Sequence, residues 1–450
     1  MNTPVQPETG LQQGTLTWFK VASLGVAIAI SGNFSGWNYG LGIGGLGGMF
    51  AAALAMALLF FCLTQCVAET AAALANEVGF DGYTRAALGP SGGYMCGMAV
   101  AIALAVGAGL ALSFIEAYAS ASMGFGGWEL KAGIMIIVIA LQLRGARDAV
   151  ALTMVTGAVA VAVLTALCLF AAPTFRISNW MVGGPGVANA FFPHGVTGAV
   201  QCIPYALFLF LGVEQAAHAA SEMKDMTTSL PKALITAIGI AAVIGISVLL
   251  LATGSAGVAR LSPSNDPLLT VVGSQPASPA AAVMTKIIGL GALFSLIATF
   301  FSLIYAGSRQ FYHLSRAGDL PRWIALTNRR HAPASALALV ALIGMVAAAF
   351  PPDAVMVVFI FLISVSHLLL IVSFIRLRRA RPELVRPFEA IGGEPMAWLA
   401  GVLSCSVMAS CYGLQTTALS WTIAALVTLF VYFRLVKLPQ LSSRDNIGTS

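Results

Sequence analysis

The chain has 450 residues, 58% hydrophobic and 9% charged, with a mean hydropathy of +0.89 and a formal net charge of +6. No soluble domain of this length carries so few charges and so many long apolar runs, so an all-α integral membrane protein is expected. The excess of positive charge is read as a topology signal, which excludes nucleic acid as a partner.

A span needs about 20 apolar residues. Twelve transmembrane helices are expected near 17–41, 48–74, 92–119, 129–143, 151–172, 196–220, 232–254, 281–308, 335–350, 354–376, 396–415 and 418–436. They leave a polar tail over 1–16, an outer loop over 173–195, a basic loop over 377–395 and a second tail over 438–450. Of 23 Lys and Arg residues, 19 fall on one side of this arrangement. Lys131, Arg176 and Arg260 fall on the other, and Lys286 lies within a span. The positive-inside rule then makes both termini cytoplasmic in a multi-pass protein of the cytoplasmic membrane. All seven cysteines fall inside spans, so no disulfide framework is indicated. Residues 1–16 lack a basic n-region, so no removable signal peptide is read there.

The first span is interrupted. ISGNFSGWNYG (30–40) sets Gly32, Asn33, Ser35, Gly36 and Asn38 in an apolar run. Such residues weaken a helix and return hydrogen bonds to it. A small-residue packing seam is the competing reading, and it is preferred for Gly40–Gly48 as a tight outer turn. The second span carries Glu69 and the third carries Glu116, in FIEAY near its outer end. The fourth span is short and followed at once by Arg144. The sixth, within QCIPYALFLFLGVEQAAHAASEMKDMTTSLPK (201–232), holds Pro204, Gly212, Glu214 and His218. An acid at bilayer depth costs about 3 kcal/mol on insertion scales, and Gly and Pro loosen the helix around it. A broken helix whose freed backbone groups line a polar cavity is the reading preferred over a plain span with a paired Glu. Two breaks five spans apart point to an inverted repeat, with 17–172 as one half and 196–376 as the other. Spans over 396–437 are an appendix.

These residues also resemble a known family. FLGVE (210–214), then E-M-K-D (222–225) and Pro231, resembles the sixth-helix signature of the amino acid–polyamine–organocation transporters. GFDGYTRAALGPSGG (79–93) resembles its loop between helices 2 and 3, and YAGSRQFYHLSRAGDLP (305–321) its loop after helix 8. SGNFSGWNYG and SRQFYHLSRAGDLP are similar to ethanolamine permeases in particular. The resemblance implies a leucine-transporter-type fold, a five-plus-five repeat with helices 1 and 6 broken. Gly36-Trp37-Asn38 stands where most amino-acid members have Gly-Ser-Gly or Gly-Thr-Gly, which puts tight carboxylate binding in doubt. The internal Lys that some members carry in helix 5 is absent from 151–172.

A broken helix presents N–H groups to carboxylates and carbonyls to ammonium groups. The segments around Gly32–Gly36 and Leu209–Val213 would supply both, with Asn33 and Ser35 adding side-chain groups. Phe208 and Phe210 would cover a bound amine, or pack in the core. Glu116 would be a counter-ion for the amine, or a wet interface residue. Lys286 would pair with Glu116 or snorkel to water. Glu214, by its match to the family acid, would brace the break or titrate with transport. Glu69, by its family match, would be structural. His218 would relay protons or be a satisfied interior histidine, and His367 has the same two readings.

No H-E-x-x-H, G-x-S-x-G, P-loop lysine or dinucleotide fingerprint is present, so no enzyme and no cofactor is expected. A sensor would add an output domain, and a channel would want a continuous polar stripe. The expected function is secondary active transport of a small amine, ethanolamine or similar, by alternating access. The alternative is an amino acid permease, as a proton-coupled symporter or an exchanger. The partners would be that substrate, the lipid bilayer and H⁺ or Na⁺.

Overall fold

The computed structural model describes residues 17–74, 77, 79–144, 149–181, 191–214, 223, 226–330 and 332–440. Among these the regular structure is helical, with no strand. The helices are α1 (Trp18–Ile30), α2 (Tyr39–Ala73), α3 (Gly79–Leu88), α4 (Pro90–Met123), α5 (Trp128–Leu143) and α6 (Ala149–Ala171). Then come α7 (Gly195–Gln201), α8 (Ile203–Leu207), α9 (Met226–Ala256), α10 (Val258–Leu261), α11 (Pro267–Gly273) and α12 (Pro279–Arg316). The last four are α13 (Ala334–Ala347), α14 (Pro352–Ala380), α15 (Gly393–Leu414) and α16 (Thr416–Tyr432).

Eight helical segments among the described residues are long and apolar enough to cross a membrane: those of α2, α4, α6, α9, α12, α14, α15 and α16. Two of the other expected spans coincide with the interrupted segments α1 and α7–α8. The remaining two are α5, with 16 residues, and α13, with 14, both short for a bilayer core of about 30 Å. The outer surface suits lipid. Leu169, Val243, Leu342 and Trp421 are 71%, 67%, 64% and 75% exposed on it. In water an apolar belt of this kind would be an aggregation site.

α4 is the central pillar, packed against α12, α14, α3 and α13, with Tyr94 and Tyr118 fully buried along it. α1 lies on α9 and α6, while α2 lies on α7, α8 and α9, so the two interrupted segments are neighbours. α15 and α16 stand at the periphery, mostly uncovered by protein.

Several boundaries differ from the sequence reading. The expected outer turn at 40–48 is a single kink, with Gly45 at φ 65° and ψ −174° inside otherwise continuous helix. A residue without Cβ takes up that backbone conformation at no steric cost. α12 and α14 run past their expected ends, as far as Arg316 and Ala380, because polar residues at a helix end cost nothing once the helix leaves the apolar layer. The connection before α12 folds into α10 and α11, which the apolar pattern did not reveal.

Candidate substrate site between the two helix breaks

α1 stops at Ile30, passes through one 3₁₀ turn at Ser31–Asn33, and resumes as α2 at Tyr39. Each backbone group freed by the interruption needs a partner. Trp37 Nε1 donates to the Asn33 carbonyl at 3.0 Å and Tyr118 Oη to the Phe34 carbonyl at 2.6 Å. The Gly36 N–H donates to Asn38 Oδ1 at 3.1 Å, and Gly36 takes φ +99°, a conformation that side-chain-bearing residues avoid. Asn38 Nδ2 in turn donates to the carbonyls of Leu261 and Ser264, both at 2.7 Å. Ser35 Oγ donates to the Asn265 carbonyl and Tyr39 Oη to Asn265 Oδ1, at 2.7 and 2.6 Å. The loop between α10 and α11 therefore clamps the first break.

The second break follows α8. Pro204 sits in the first turn of α8, and the chain unwinds from Phe208 through Gly212, which has φ +103°. The Gly212 N–H donates to Glu214 Oε2 at 2.9 Å. The two breaks touch. A Cβ on Gly32 would lie 2.3 Å from the Phe208 carbonyl oxygen, and one on Gly212 would lie 2.3 Å from Ile28 Cγ2. Only glycine allows this approach.

Beside the contact lies a cavity of about 200 Å³. Of the candidates, Gly32, Phe208, Gly212 and Glu214 line it. Phe208 forms one wall, edge-on to Phe114 at 6.4 Å and to Phe359 at 6.3 Å between ring centroids. Leu104, Leu110 and Ile363 add further apolar surface. Polar groups are few: the Glu214 carboxylate and the hydroxyls of Ser31, Thr156, Ser295, Thr299 and Ser302. Thr299 Oγ1 donates back to the Ser295 carbonyl and Ser302 Oγ to the Ala298 carbonyl, at 3.0 and 2.9 Å. Hydroxyls whose hydrogens are so engaged turn lone pairs outward, so they act as acceptors.

The other candidates do not line the cavity. Asn33 is fully buried, with Oδ1 3.0 Å from where a Cβ on Gly245 of α9 would stand, and its amide makes no hydrogen bond among the described residues. Ser35 and Gly36 are taken up in the clamp described above. Phe210 is buried against Phe60, 6.1 Å between centroids. Glu116 is half-buried and accepts the Gly127 N–H at 3.2 Å, which ties the end of α4 to the start of α5 and leaves it outside the cavity. Lys286 is exposed. Glu69, 2% exposed, accepts from Arg378 Nε and Nη2 at 2.8 and 2.6 Å and from the Ala390 N–H at 2.7 Å, with Arg386 Nε 3.3 Å away. It binds α2 to the end of α14 and the basic loop beyond. His218 lies outside the described residues, as does the E-M-K-D motif apart from Met223.

The sequence reading missed Phe114, Phe359 and the α12 hydroxyls. The hydroxyls had a signal: Ser295, Thr299 and Ser302 recur at helical spacing, which puts them on one face of α12. It also missed that His367 Nε2 of α14 comes within 3.5 Å of Glu214 Oε1, with both side chains buried.

Comparison with known proteins identifies the family. The sequence profile of the family described as "Amino acid permease" matches residues 16–433. The "Methylthioribose transporter" of Bacillus subtilis (strain 168) is 26% identical over 207 residues, 45% of this chain and 41% of that protein. The "Branched-chain amino acid permease BcaP" of the same organism is 25% identical over 248 residues, 54% of this chain and 52% of that protein. The "D-serine/D-alanine/glycine transporter" of Escherichia coli (strain K12) is 24% identical over 410 residues, 84% of each chain. The chain thus spans less than half the length of the first of these relatives and about half that of the second. Because the profile covers nearly the whole sequence, both helix breaks included, the chain belongs to the amino acid permease family of the amino acid–polyamine–organocation transporters.

Proposed function

We propose that this transporter moves a small amine, ethanolamine or a close relative, across the cytoplasmic membrane by alternating access. The proposal includes twelve transmembrane helices, a five-plus-five inverted repeat and cytoplasmic termini. The carrying observation is the Gly36 N–H, which donates to Asn38 Oδ1 and is therefore not offered to a ligand. A substrate carboxylate would need such an amide at the break. The few polar groups of the cavity include acceptors: the Glu214 carboxylate and the Thr299 and Ser302 hydroxyl oxygens. Acceptors suit an ammonium group, whose hydrogens only donate. The face of Phe208 adds favourable cation–π energy, about 0.5–2 kcal/mol.

A second reading, an amino acid permease, is favoured by the cavity walls. Leu104, Leu110, Phe114, Phe359 and Ile363 enclose more apolar surface than ethanolamine covers, and would fit an apolar side chain. The branched-chain and D-amino acid permeases among the relatives point the same way.

Proteoliposomes loaded with an unlabelled compound and given the same compound radiolabelled measure exchange directly. The panel is ethanolamine, L-leucine, D-alanine and γ-aminobutyrate. Exchange of ethanolamine, resisted by the three amino acids at equal concentration, supports the amine reading. Exchange of L-leucine without ethanolamine supports the second. Exchange of none would overturn transport of this substrate class.

A further inference from the structure

Three elements converge at one edge of the cavity. A Cβ on Gly36 would lie 2.9 Å from Met356 Sδ of α14 and 3.3 Å from Phe208 Cδ1. Phe208 lines the cavity and the other two do not, so this contact marks its edge. Met356 is fully buried there. Three residues from Gly36, Phe208 and Met356 stand Tyr39, Tyr205 and Asp353. Along α14 that step is about 4.5 Å.

These three side chains form a second cluster. The Tyr39 and Tyr205 rings meet edge-on, 6.2 Å between centroids and 78° between planes. Tyr205 Cβ lies 3.2 Å from where a Cβ on Gly40 would stand, so the bare backbone at Gly40 lets α8 bring its ring in against α2. Tyr39 Oη is fixed by its hydrogen bond to Asn265 Oδ1 at 2.6 Å. Asp353, in the first turn of α14, bears electrostatically on both phenols. Its side chain is half-buried and takes part in none of the ion pairs among the described residues. Tyr39 is half-buried and Asn265 exposed, so the cluster reaches the surface.

The helix dipole favours an acid in the first turn of α14. It does not account for two aromatic rings brought to that acid by α2 and α8. A carboxylate beside aromatic rings attracts a cation in two ways, by its charge and by the ring quadrupoles. An ammonium group has only hydrogens to donate and finds acceptors in the carboxylate and the phenol oxygens. The cavity repeats this pairing of acid and ring with Glu214 and Phe208. One ligand chemistry therefore fits both places.

We propose that Asp353, Tyr39 and Tyr205 form a second amine-binding site, which takes an alkylammonium ion at the outer mouth before it reaches the cavity. The proposal rests on the transport reading and the topology given above, and adds a site to them. The ion passes inward when Met356 and Phe208 part from Gly36. No covalent bond is made or broken. An amino acid would set its own carboxylate near Asp353, and like charges repel. The second site thus favours amines that carry no carboxylate.

Equilibrium dialysis of radiolabelled ethanolamine against the full chain in detergent counts the sites. Wild type is expected to bind two molecules per chain. Asp353→Asn keeps the size and removes the charge, and should bind one. Asp353→Glu keeps the charge and should bind two. Tyr205→Leu should weaken one of the two sites at least tenfold. Glycine, an ammonium group with a carboxylate, should displace ethanolamine from the second site at least tenfold less well than ethylamine does. A wild type that exchanges ethanolamine but binds one per chain would overturn the second site and leave the transport reading standing. So would two per chain at wild-type affinity in Asp353→Asn. Loss of all binding by both Asp353→Asn and Tyr205→Leu, each monodisperse, would make the cluster structural and also overturn the site. If the wild type neither binds nor exchanges ethanolamine, the amine reading fails and takes this proposal with it.

Discussion

Asn38 satisfies the amide of Gly36, two residues before it, while its own amide group reaches across to the carbonyls of Leu261 and Ser264. One side chain thus closes the first helix break on itself and fastens it to the loop between α10 and α11. Asn38→Ala removes all three hydrogen bonds. Each buried group left unpaired costs about 1–3 kcal/mol, so a lower melting temperature in detergent is expected. The variant also frees the Gly36 N–H. The affinity of L-leucine relative to ethanolamine should therefore rise in competition binding, and an unchanged ratio would remove the argument from the Gly36 amide.

The contact between the two breaks makes a sharper demand. Gly32→Ala drives a methyl group into the Phe208 carbonyl, which is backbone and cannot swing away. Uptake should fall at least tenfold, about 1.4 kcal/mol or more, with the protein still inserted. In Gly212→Ala the opposing group is Ile28 Cγ2, so Ile28→Ala should relieve the clash, but the φ of +103° remains unfavourable. The double variant is expected to recover part of the uptake. Wild-type uptake by Gly32→Ala would mean that the segments move apart during transport.

Phe208 is an aromatic wall of the cavity, beside Phe114 and Phe359, and Phe210 is not. Phe208→Leu keeps most of the bulk and removes the ring. Amine affinity should drop by the cation–π contribution, about twofold to thirtyfold. Phe210→Leu should lower stability through its packing on Phe60 and leave amine affinity within about twofold, since it reaches no ligand. Equal losses of affinity in the two would argue against a cation on the Phe208 face.

Asp266, at the start of α11, has its carboxyl raised above the ordinary 3.8, chiefly by burial and against the lowering effect of the Ser264 hydroxyl. The folded chain then binds this proton more tightly than the unfolded chain does. Its ionisation therefore costs stability at pH above the folded value, and the cost disappears once pH falls below the unfolded value. Asp266→Asn retains an acceptor for Ser264 and carries no charge. Its melting temperature should exceed wild type at pH 7 and match it near pH 3. A lower melting temperature at pH 7 would show that the charge supports α11.

Orientation is tested by labelling. Ala277 and Arg329 are exposed, in the connections before α12 and before α13. Cysteine at 277 should react with an impermeant maleimide in intact cells, and cysteine at 329 only after the membrane is opened. The reverse pattern would invert the proposed topology.

Much of the architecture was legible in single residues. Fifty-eight per cent apolar content with long uncharged runs requires a membrane whatever the packing. Gly36, Gly212 and Pro204 weaken helices through their own backbones, so both breaks were readable where they occur. Glu214 was conspicuous because burying an acid is costly in any fold. The facing of the side chains was not legible, because an unwound segment has no helical period to follow. Phe208 and Phe210 are two residues apart, yet one meets the cavity and the other meets Phe60. Ser35 had the composition of a ligand and Asn38 that of a helix breaker, but a loop more than two hundred residues away claimed both side chains. Glu116 was drawn off by the Gly127 amide beyond the end of its own helix. His367, in a plain apolar span, gained its meaning only when packing brought Glu214 to it. Residue chemistry determined that the helices are apolar and where the first and sixth spans break, because those costs are paid locally. Tertiary structure decided which groups share the cavity, because that depends on partners distant in sequence.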